Sequence, residues 1–221
     1  MIMILFIAIY LIALFCYFFT RVSDNRMHRA VNKYIMATMY LVLAIVTFFR
    51  KYEFVSYQSL YMVALLFAYF GDVFLVFDFG RGGDFFLAGN ICFTVYDQIV
   101  MVDHGFSFRD FWWVFLVVAL ILGIFIYLCS KYPEKIRMGK MRWPMTWYLS
   151  TILTHGIMGL ALVVLLPGTK FVTMGIGSFL FMISDMILTA YRFVFNNNKW
   201  LIRANSLTYF VGLLLIVLAM V

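Results

Sequence analysis

Long apolar runs separated by short polar stretches extend along the whole chain. A helix needs about 20 mostly apolar residues to cross a bilayer, and eight runs come close to that length. We predict spans at about residues 1–19, 34–49, 56–77, 85–102, 111–130, 144–166, 171–191 and 201–221. Runs such as VFLVVALILGIFIYL lack the alternation of a membrane β-barrel. The pattern predicts an all-α integral membrane protein, a bundle of eight transmembrane helices that forms a single domain over residues 1–221.

The composition agrees with this pattern, since 66% of the residues are hydrophobic and only 12% are charged. A soluble domain usually carries about 25% charged residues, so this chain has too few to cover a water-facing surface. Its mean hydropathy is +1.00. Cys16, Cys92 and Cys129 all lie in apolar runs, where cysteine usually behaves as a small hydrophobic residue. We therefore expect no disulfide framework, no metal site and no cofactor.

The net charge of +7 comes from basic residues in the loops beside the spans. They are typical of topology signals and of anchors for anionic headgroups, and not of a nucleic-acid patch. The loops after spans 1, 3, 5 and 7 hold 13 of the 17 lysines and arginines. Because cytoplasmic loops carry the excess of basic residues, we predict that these odd-numbered loops are cytoplasmic and that both termini lie outside.

Two acids occupy the apolar spans 3 and 7. An ionised Asp72 inside hydrocarbon costs about 2.5–3.5 kcal/mol on insertion scales, which makes it a candidate functional residue; the alternative is an interfacial side chain that reaches the headgroups. At about 1.5 Å per residue, Asp72 and Asp185 both lie roughly 8 Å from the cytoplasmic edge. Each is followed three residues later by a leucine on its own face, Leu75 or Leu188. We predict that spans 3 and 7 are neighbours whose carboxyls meet in a shared pocket.

A second polar pair is predicted near the middle of the membrane. Asp97 in span 4 and His155 in span 6 fall at similar depths, so that each can lower the cost of burying the other. In the alternative interpretation, Asn90, Gln98 or a tyrosine satisfies Asp97, which then only packs helices. The sequence leaves both interpretations open.

Several of these residues resemble a known pattern. The runs GDVFLVF, FLAGNICF and GSFLFMISDMILTAYRF are similar to those of the YhhN/TMEM86 lysoplasmalogenase family of membrane proteins. The most specific matches are Gly71-Asp72, the Phe86/Gly89/Phe93 spacing, Tyr148 and the block Gly177, Phe181, Ser184, Asp185, Leu188 and Phe193. The resemblance implies eight spans and hydrolysis of the vinyl ether bond of a lysoplasmalogen, which gives a fatty aldehyde and a glycerophospho-head group.

This chain departs from the family pattern at two places. Such proteins commonly carry a histidine where this chain has Asp97. They also commonly carry a glutamine in the last span, after an aromatic pair, whereas Tyr209-Phe210 is followed here by Val211 and Gly212. The departures mark a divergent member.

Vinyl ether hydrolysis needs a proton donor and a carboxylate that steadies the cation and orients water. We assign these roles to Asp72 and Asp185, because two close carboxyls in a low-dielectric site do not both ionise easily. Supporting or substrate-binding roles are predicted for Tyr148, Ser184, Asp97, His155, Asn90 and Tyr69. The expected partners are a lysophospholipid substrate and the lipid bilayer, with the phosphate meeting Lys33, Lys140, Arg142 or Arg192.

Other classes fit less well. The chain has no G-x-S-x-G motif, and GRGGD at residues 80–84 indicates a flexible turn instead of a phosphate-binding loop. The main alternative is a small transporter or a non-catalytic lipid-binding protein that uses Asp72, Asp97 and Asp185 as a proton or cation path. Transporters often have broken helices and inverted repeats, and no proline lies inside any predicted span.

Overall fold

A computed structural model of the chain describes residues 2–52, 56–196 and 198–220. Its regular structure, within these residues, is entirely helical, and eight segments are long and apolar enough to cross a membrane. The predicted fold class is therefore confirmed. The helices are α1 (Ile2–Thr20), α2 (Arg26–Lys51), α3 (Gln58–Leu75), α4 (Phe79–Asp103), α5 (Phe108–Phe111), α6 (Trp113–Lys131), α7 (Arg142–Leu165), α8 (Lys170–Phe193) and α9 (Lys199–Leu218), with a short 3-10 turn at Gly139–Met141 before α7.

Helix α2 begins about two turns earlier than the apolar pattern predicts. The side chain of Asn25 accepts hydrogen bonds from the backbone N–H groups of Met27 and His28, at 2.9 and 3.3 Å. This N-cap satisfies the free donors of the first turn, so that the helix begins at Arg26. As a consequence, Lys33 lies inside a helix and is 7% exposed, although the sequence places it in a loop.

The glycine-rich stretch at residues 80–84 is also helical, and the prediction of a flexible turn there is wrong. The Asp78 side chain caps α4 by accepting from the backbone N–H groups of Gly80 and Arg81, at 2.8 and 3.1 Å. A Cβ added at Gly82 would lie 2.8 Å from the backbone of Leu75. The first turn of α4 therefore packs directly on the end of α3, and glycine is needed for that contact.

Six helices form a closed ring in the order α2, α3, α4, α7, α8 and α9, in which each packs on the next and α9 packs on α2. The most extensive contacts join α8 to α9 and α3 to α4. Helix α1 packs outside against α2 and α9, and α6 packs outside against α7. Helices α3 and α8 thus face each other across the interior of the ring without extensive packing. The prediction that spans 3 and 7 are direct neighbours is wrong.

Two glycines allow α8 and α9 to approach at backbone distance. A Cβ at Gly177 would lie 2.7 Å from the carbonyl oxygen of Gly212, and a Cβ at Gly212 would lie 2.8 Å from that of Gly177. Real Cβ atoms essentially never come so close. At this helix spacing, residue 212 therefore has no room for a side chain against α8.

Candidate active site

Three side chains surround the carboxylate of Asp72, which lies in the last turn of α3 and is 1% exposed. The Nζ atom of Lys33 lies 3.0 Å from its Oδ1 atom. The hydroxyl of Tyr209 donates to Oδ2 at 2.7 Å, and that of Tyr40 does so at 3.5 Å. Helices α2 and α9 thus satisfy both oxygens of an acid that α3 supplies, which is what a buried carboxylate requires.

Lys33 was assigned only a phosphate contact from the sequence, and Tyr40 was not singled out. Both lie on the buried face of α2, where Lys33, Met36, Tyr40 and Leu43 follow helical spacing. That spacing was the available signal. The apolar pattern does not reveal it, because a lysine at the end of a basic loop, directly before an apolar span, is usually a headgroup anchor.

Asp185 lies in α8 and has different surroundings. It is 4% exposed, and the hydroxyl of Tyr148, from α7, donates to its Oδ2 atom. In the part of the chain that the structure describes, no lysine, arginine or histidine lies within ion-pair distance of Asp185. The two acids therefore differ, since one is ion-paired and the other is held by a single neutral donor.

One narrow cleft inside the ring is lined by both acids. Its other lining residues include Leu75 and Leu188, the two leucines that follow the acids in the sequence. Phe86 of α4 and Tyr209 of α9 also line it, and their rings lie 6.0 Å apart between centroids. The structure thus brings Asp72 and Asp185 to a shared cleft, although their helices are not packed together.

Two further clefts adjoin this acid-lined cleft, and Leu75 and Leu188 line all three. One is a basic mouth lined by Arg21, Arg26, Arg29, Lys33 and Arg192. The other is an apolar pocket, which Asp185 and Tyr148 also reach; its apolar lining includes Phe79, Phe86, Leu87, Met141, Pro144 and Met145. The basic mouth, the acid-lined cleft and the apolar pocket therefore adjoin one another around Leu75 and Leu188.

Two of the basic residues predicted to meet a phosphate lie elsewhere. The guanidinium of Arg142 donates to the carbonyl of Ile126 at 3.2 Å and to the Ser130 hydroxyl at 2.5 Å. Neither Arg142 nor Lys140 lines the basic mouth, whereas Lys33 and Arg192 do. Arg142 thus connects the first turn of α7 to α6 by hydrogen bonds.

None of the six predicted supporting residues lines the acid-lined cleft, although Tyr148 lines the apolar pocket and bonds to Asp185. The hydroxyl of Ser184 accepts a hydrogen bond from the amide of Asn205 at 3.0 Å and joins α8 to α9. Tyr69 packs against Phe70, with ring centroids 5.8 Å apart. Asn90 is 1% exposed, and neither of its amide atoms has a hydrogen-bond partner among the described residues. Asn205 itself does line the cleft and was not predicted.

The Asp97–His155 pair is formed. The Nδ1 atom of His155 lies 3.0 Å from Oδ2 of Asp97, and both side chains are fully buried. The imidazole stacks on Phe93, with centroids 4.7 Å apart. Neither residue lines the acid-lined cleft. The pair therefore joins α4 to α7 away from Asp72 and Asp185, and His155, not Asn90 or Gln98, is the partner of Asp97.

The model of the YhhN family matches residues 32–220, which include Asp72, Asp185 and all the residues that bond to them. The chain belongs to the YhhN family. This family includes lysoplasmalogenases. No curated protein and no solved structure matches the chain. Arg21, Arg26 and Arg29 of the basic mouth lie before the part that matches the YhhN family.

Proposed function

We propose that this YhhN-family protein is a lysoplasmalogenase-like hydrolase. It cleaves the vinyl ether bond of a single-chain ether lysophospholipid and releases a fatty aldehyde and a glycerophospho-head group. The observation that carries the proposal is that Asp72 and Asp185 line one buried cleft that adjoins both a basic mouth and an apolar pocket.

The three adjoining clefts match the three parts of such a lipid. The phosphate meets the arginines of the basic mouth, where charge-assisted hydrogen bonds favour it. The glycerol and the vinyl ether follow within a few bonds and reach Asp72 and Asp185. The hydrocarbon chain enters the apolar pocket beside Phe86 and Met145.

The reaction consumes one water molecule. A carboxylic acid first transfers its proton to the vinyl carbon that is not bonded to oxygen, which leaves an oxocarbenium ion. Water then adds to the cationic carbon. It gives one of its two protons to a carboxylate and keeps the other as the hydroxyl of a hemiacetal. The resulting hemiacetal loses its hydroxyl proton and breaks its bond to the glycerol oxygen, which is protonated as it leaves. The products are the aldehyde and a free glycerol hydroxyl, and proton exchange between the two acids restores the starting state.

The contacts of the two acids favour one assignment of roles. Both oxygens of Asp72 accept from donors, one of them the cation of Lys33, which suits a carboxylate that stays ionised. Asp185 has only the Tyr148 hydroxyl as a partner within the described chain, so its other oxygen is free to carry a proton. We assign Asp185 as the proton donor and Asp72 as the carboxylate that orients water and accepts its proton.

The test is release of aldehyde by the purified protein in detergent micelles from an alkenyl lysophospholipid. General acid–base groups contribute about 100- to 10,000-fold, so Asp185→Asn and Asp72→Asn should each lose at least about 100-fold. Glu134→Gln, in an exposed loop, is the matched carboxyl-to-amide control and should keep full activity. The saturated alkyl lipid, which cannot be protonated at carbon, should release nothing. Full turnover by either aspartate variant would refute the proposal.

A proton or cation path is the second candidate, and the buried Asp97–His155 pair is the observation that favours it. The two candidate functions differ in whether a sealed membrane is required to measure them. Hydrolysis proceeds in detergent without a membrane, whereas transport is measured only across a sealed vesicle. Vesicles that acidify or accumulate a cation through the protein, together with absence of aldehyde release in detergent, would favour the path over the hydrolase.

A further inference from the structure

Two adjoining clefts at one end of the bundle are lined by positive side chains from four helix ends. Arg21 follows α1, Arg26 and Arg29 begin α2, and Arg192 ends α8. Lys199, at the start of α9, extends the lining into the second cleft together with Arg21 and Arg29. Among the lining residues of both clefts there is no aspartate or glutamate.

The arginines are held in place by neutral groups. Arg21 Nε donates to the Ser206 hydroxyl at 3.0 Å, and Arg26 donates to the carbonyl of Val76 at 3.2 Å. Arg29 donates to the carbonyl of Ser23. Within the described ranges none of these guanidinium groups has an ion-pair partner. Their charges remain uncompensated, in contrast to that of Lys33, which Asp72 balances at 3.0 Å.

A headgroup ammonium finds little to bind here. Such a cation is held by carboxylates or by the face of an aromatic ring, and the mouth has two aromatic residues, Phe79 and Tyr191. The guanidinium carbon of Arg192 lies 5.2 Å from the centroid of the Phe79 ring, so a cation of the protein itself occupies that ring. Choline or ethanolamine would therefore place its charge beside several positive groups, with no carboxylate and only the Tyr191 ring in the lining to offset the repulsion.

We propose that this mouth selects lysolipids whose headgroup is a net anion, a phosphate monoester or a phosphoglycerol, over zwitterionic phosphocholine and phosphoethanolamine. The inference rests on the proposed function and adds the headgroup class. Specificity arises from repulsion of the wrong headgroup as much as from attraction of the right one. Three of the arginines that carry it, Arg21, Arg26 and Arg29, lie before the region that matches the YhhN family, whereas Arg192 lies within it.

The first experiment compares four alkenyl lysolipids of one chain length, differing only in headgroup, as substrates in neutral detergent micelles. We expect kcat/KM to be at least about 10-fold higher for the phosphate monoester and the phosphoglycerol than for the zwitterions. Added salt should reduce this advantage, because it screens exposed charges. Equal or greater turnover of the zwitterions would overturn the headgroup selection and leave the hydrolase intact.

A binding arm separates failure of the selection from failure of the hydrolase. The four saturated alkyl lysolipids, which cannot be cleaved, compete with a fluorescent lysolipid for the purified protein. Tighter competition by the two anionic lipids supports the selection even if none of the alkenyl lipids releases aldehyde. Equal competition by all four contradicts it, whatever the hydrolase assay gives.

Variants locate the effect and distinguish the substrate's headgroup from a neighbouring anionic lipid. Arg192→Gln and Arg26→Gln should each lower kcat/KM for the two anionic lipids at least about 3-fold more than for the two zwitterions, as expected when a charge contact is lost. Lys135→Gln, an exposed charge in the loop before α7, should change nothing. If a non-substrate diacyl phosphatidylglycerol raises turnover of all four lipids equally, and the arginine variants lose only that stimulation, the arginines bind bilayer lipid and the proposal is wrong.

Discussion

Lys33 and Asp72 form an ion pair in the interior of the bundle, with 3.0 Å between Nζ and Oδ1, and their side chains are 9% and 1% exposed. Each charge offsets part of the desolvation cost of burying the other. A buried pair of this kind contributes little net stability, but loss of one partner leaves an uncompensated charge. The ion pair thereby holds the Asp72 carboxylate in a defined position in the lining of the acid-lined cleft.

Removal of Lys33 should therefore destabilise the protein more than removal of the whole pair. We expect Lys33→Met to lower the free energy of unfolding by about 3–5 kcal/mol and the double variant Lys33→Met/Asp72→Leu to recover much of this loss. Thermal unfolding in detergent measures both. A double variant that is less stable than the single one by a further similar amount would show that the two side chains act independently.

Removal of a tyrosine hydroxyl that donates to either acid should lower turnover, whereas removal of the Tyr69 hydroxyl should not. Tyr148→Phe removes the donor to Asp185, and Tyr209→Phe removes the donor to Asp72. Asp72 is charged at rest and Asp185 becomes charged as it gives up its proton. Hydrogen bonds to charged groups contribute about 1.5–3 kcal/mol, so we expect kcat/KM for aldehyde release to fall roughly 10- to 100-fold. Tyr69→Phe is the matched control, since Tyr69 does not line the cleft. An equal loss in all three variants would indicate a general effect on the fold.

The Asp97–His155 pair should be structural. Its atoms lie outside the acid-lined cleft, and truncation of one partner leaves a buried polar group unpaired. His155→Phe should lower the free energy of unfolding by about 3–5 kcal/mol, while aldehyde release per folded molecule stays close to that of the wild type. Activity and thermal unfolding measured on the same preparation separate the two effects. A stable His155→Phe protein without turnover would instead place the pair in the mechanism.

The contact between α8 and α9 should depend on its glycines. Gly177→Ala would place a Cβ 2.7 Å from the carbonyl oxygen of Gly212, and such overpacking costs about 1–3 kcal/mol. Gly123→Ala in α6 is the control, because a Cβ at that position has nothing within 4 Å. The control should be neutral or slightly stabilising, since alanine favours helix more than glycine does. Thermal unfolding of the two variants tests this, and equal loss in both would contradict the packing argument.

The sequence predicts much of the fold because apolar runs of membrane length report helices directly. It misses the start of α2 and the helical turn at Gly80, where capping by Asn25 and Asp78 decides the boundary locally. The sequence identifies Asp72 and Asp185 as candidate functional residues, because acids are rare in apolar spans. It does not show Lys33, Tyr40 or Asn205, since their roles depend on which helices close the ring. The separation of α3 from α8 is likewise a tertiary property, because the depth of Asp72 and Asp185 in the membrane does not show which helices pack together.

The orientation of the bundle in the membrane follows from the distribution of its basic residues. Arg21, Arg26, Arg29 and Arg192 meet at one mouth, and cytoplasmic loops carry the excess of lysine and arginine. We predict that this mouth faces the cytoplasm and that both termini lie outside. A C-terminal reporter that is active only in the cytoplasm should stay silent, whereas the same reporter inserted in the exposed loop at Lys135 should be active. A bright C-terminal fusion with a silent loop insertion would reverse the orientation and move the basic mouth to the outer face.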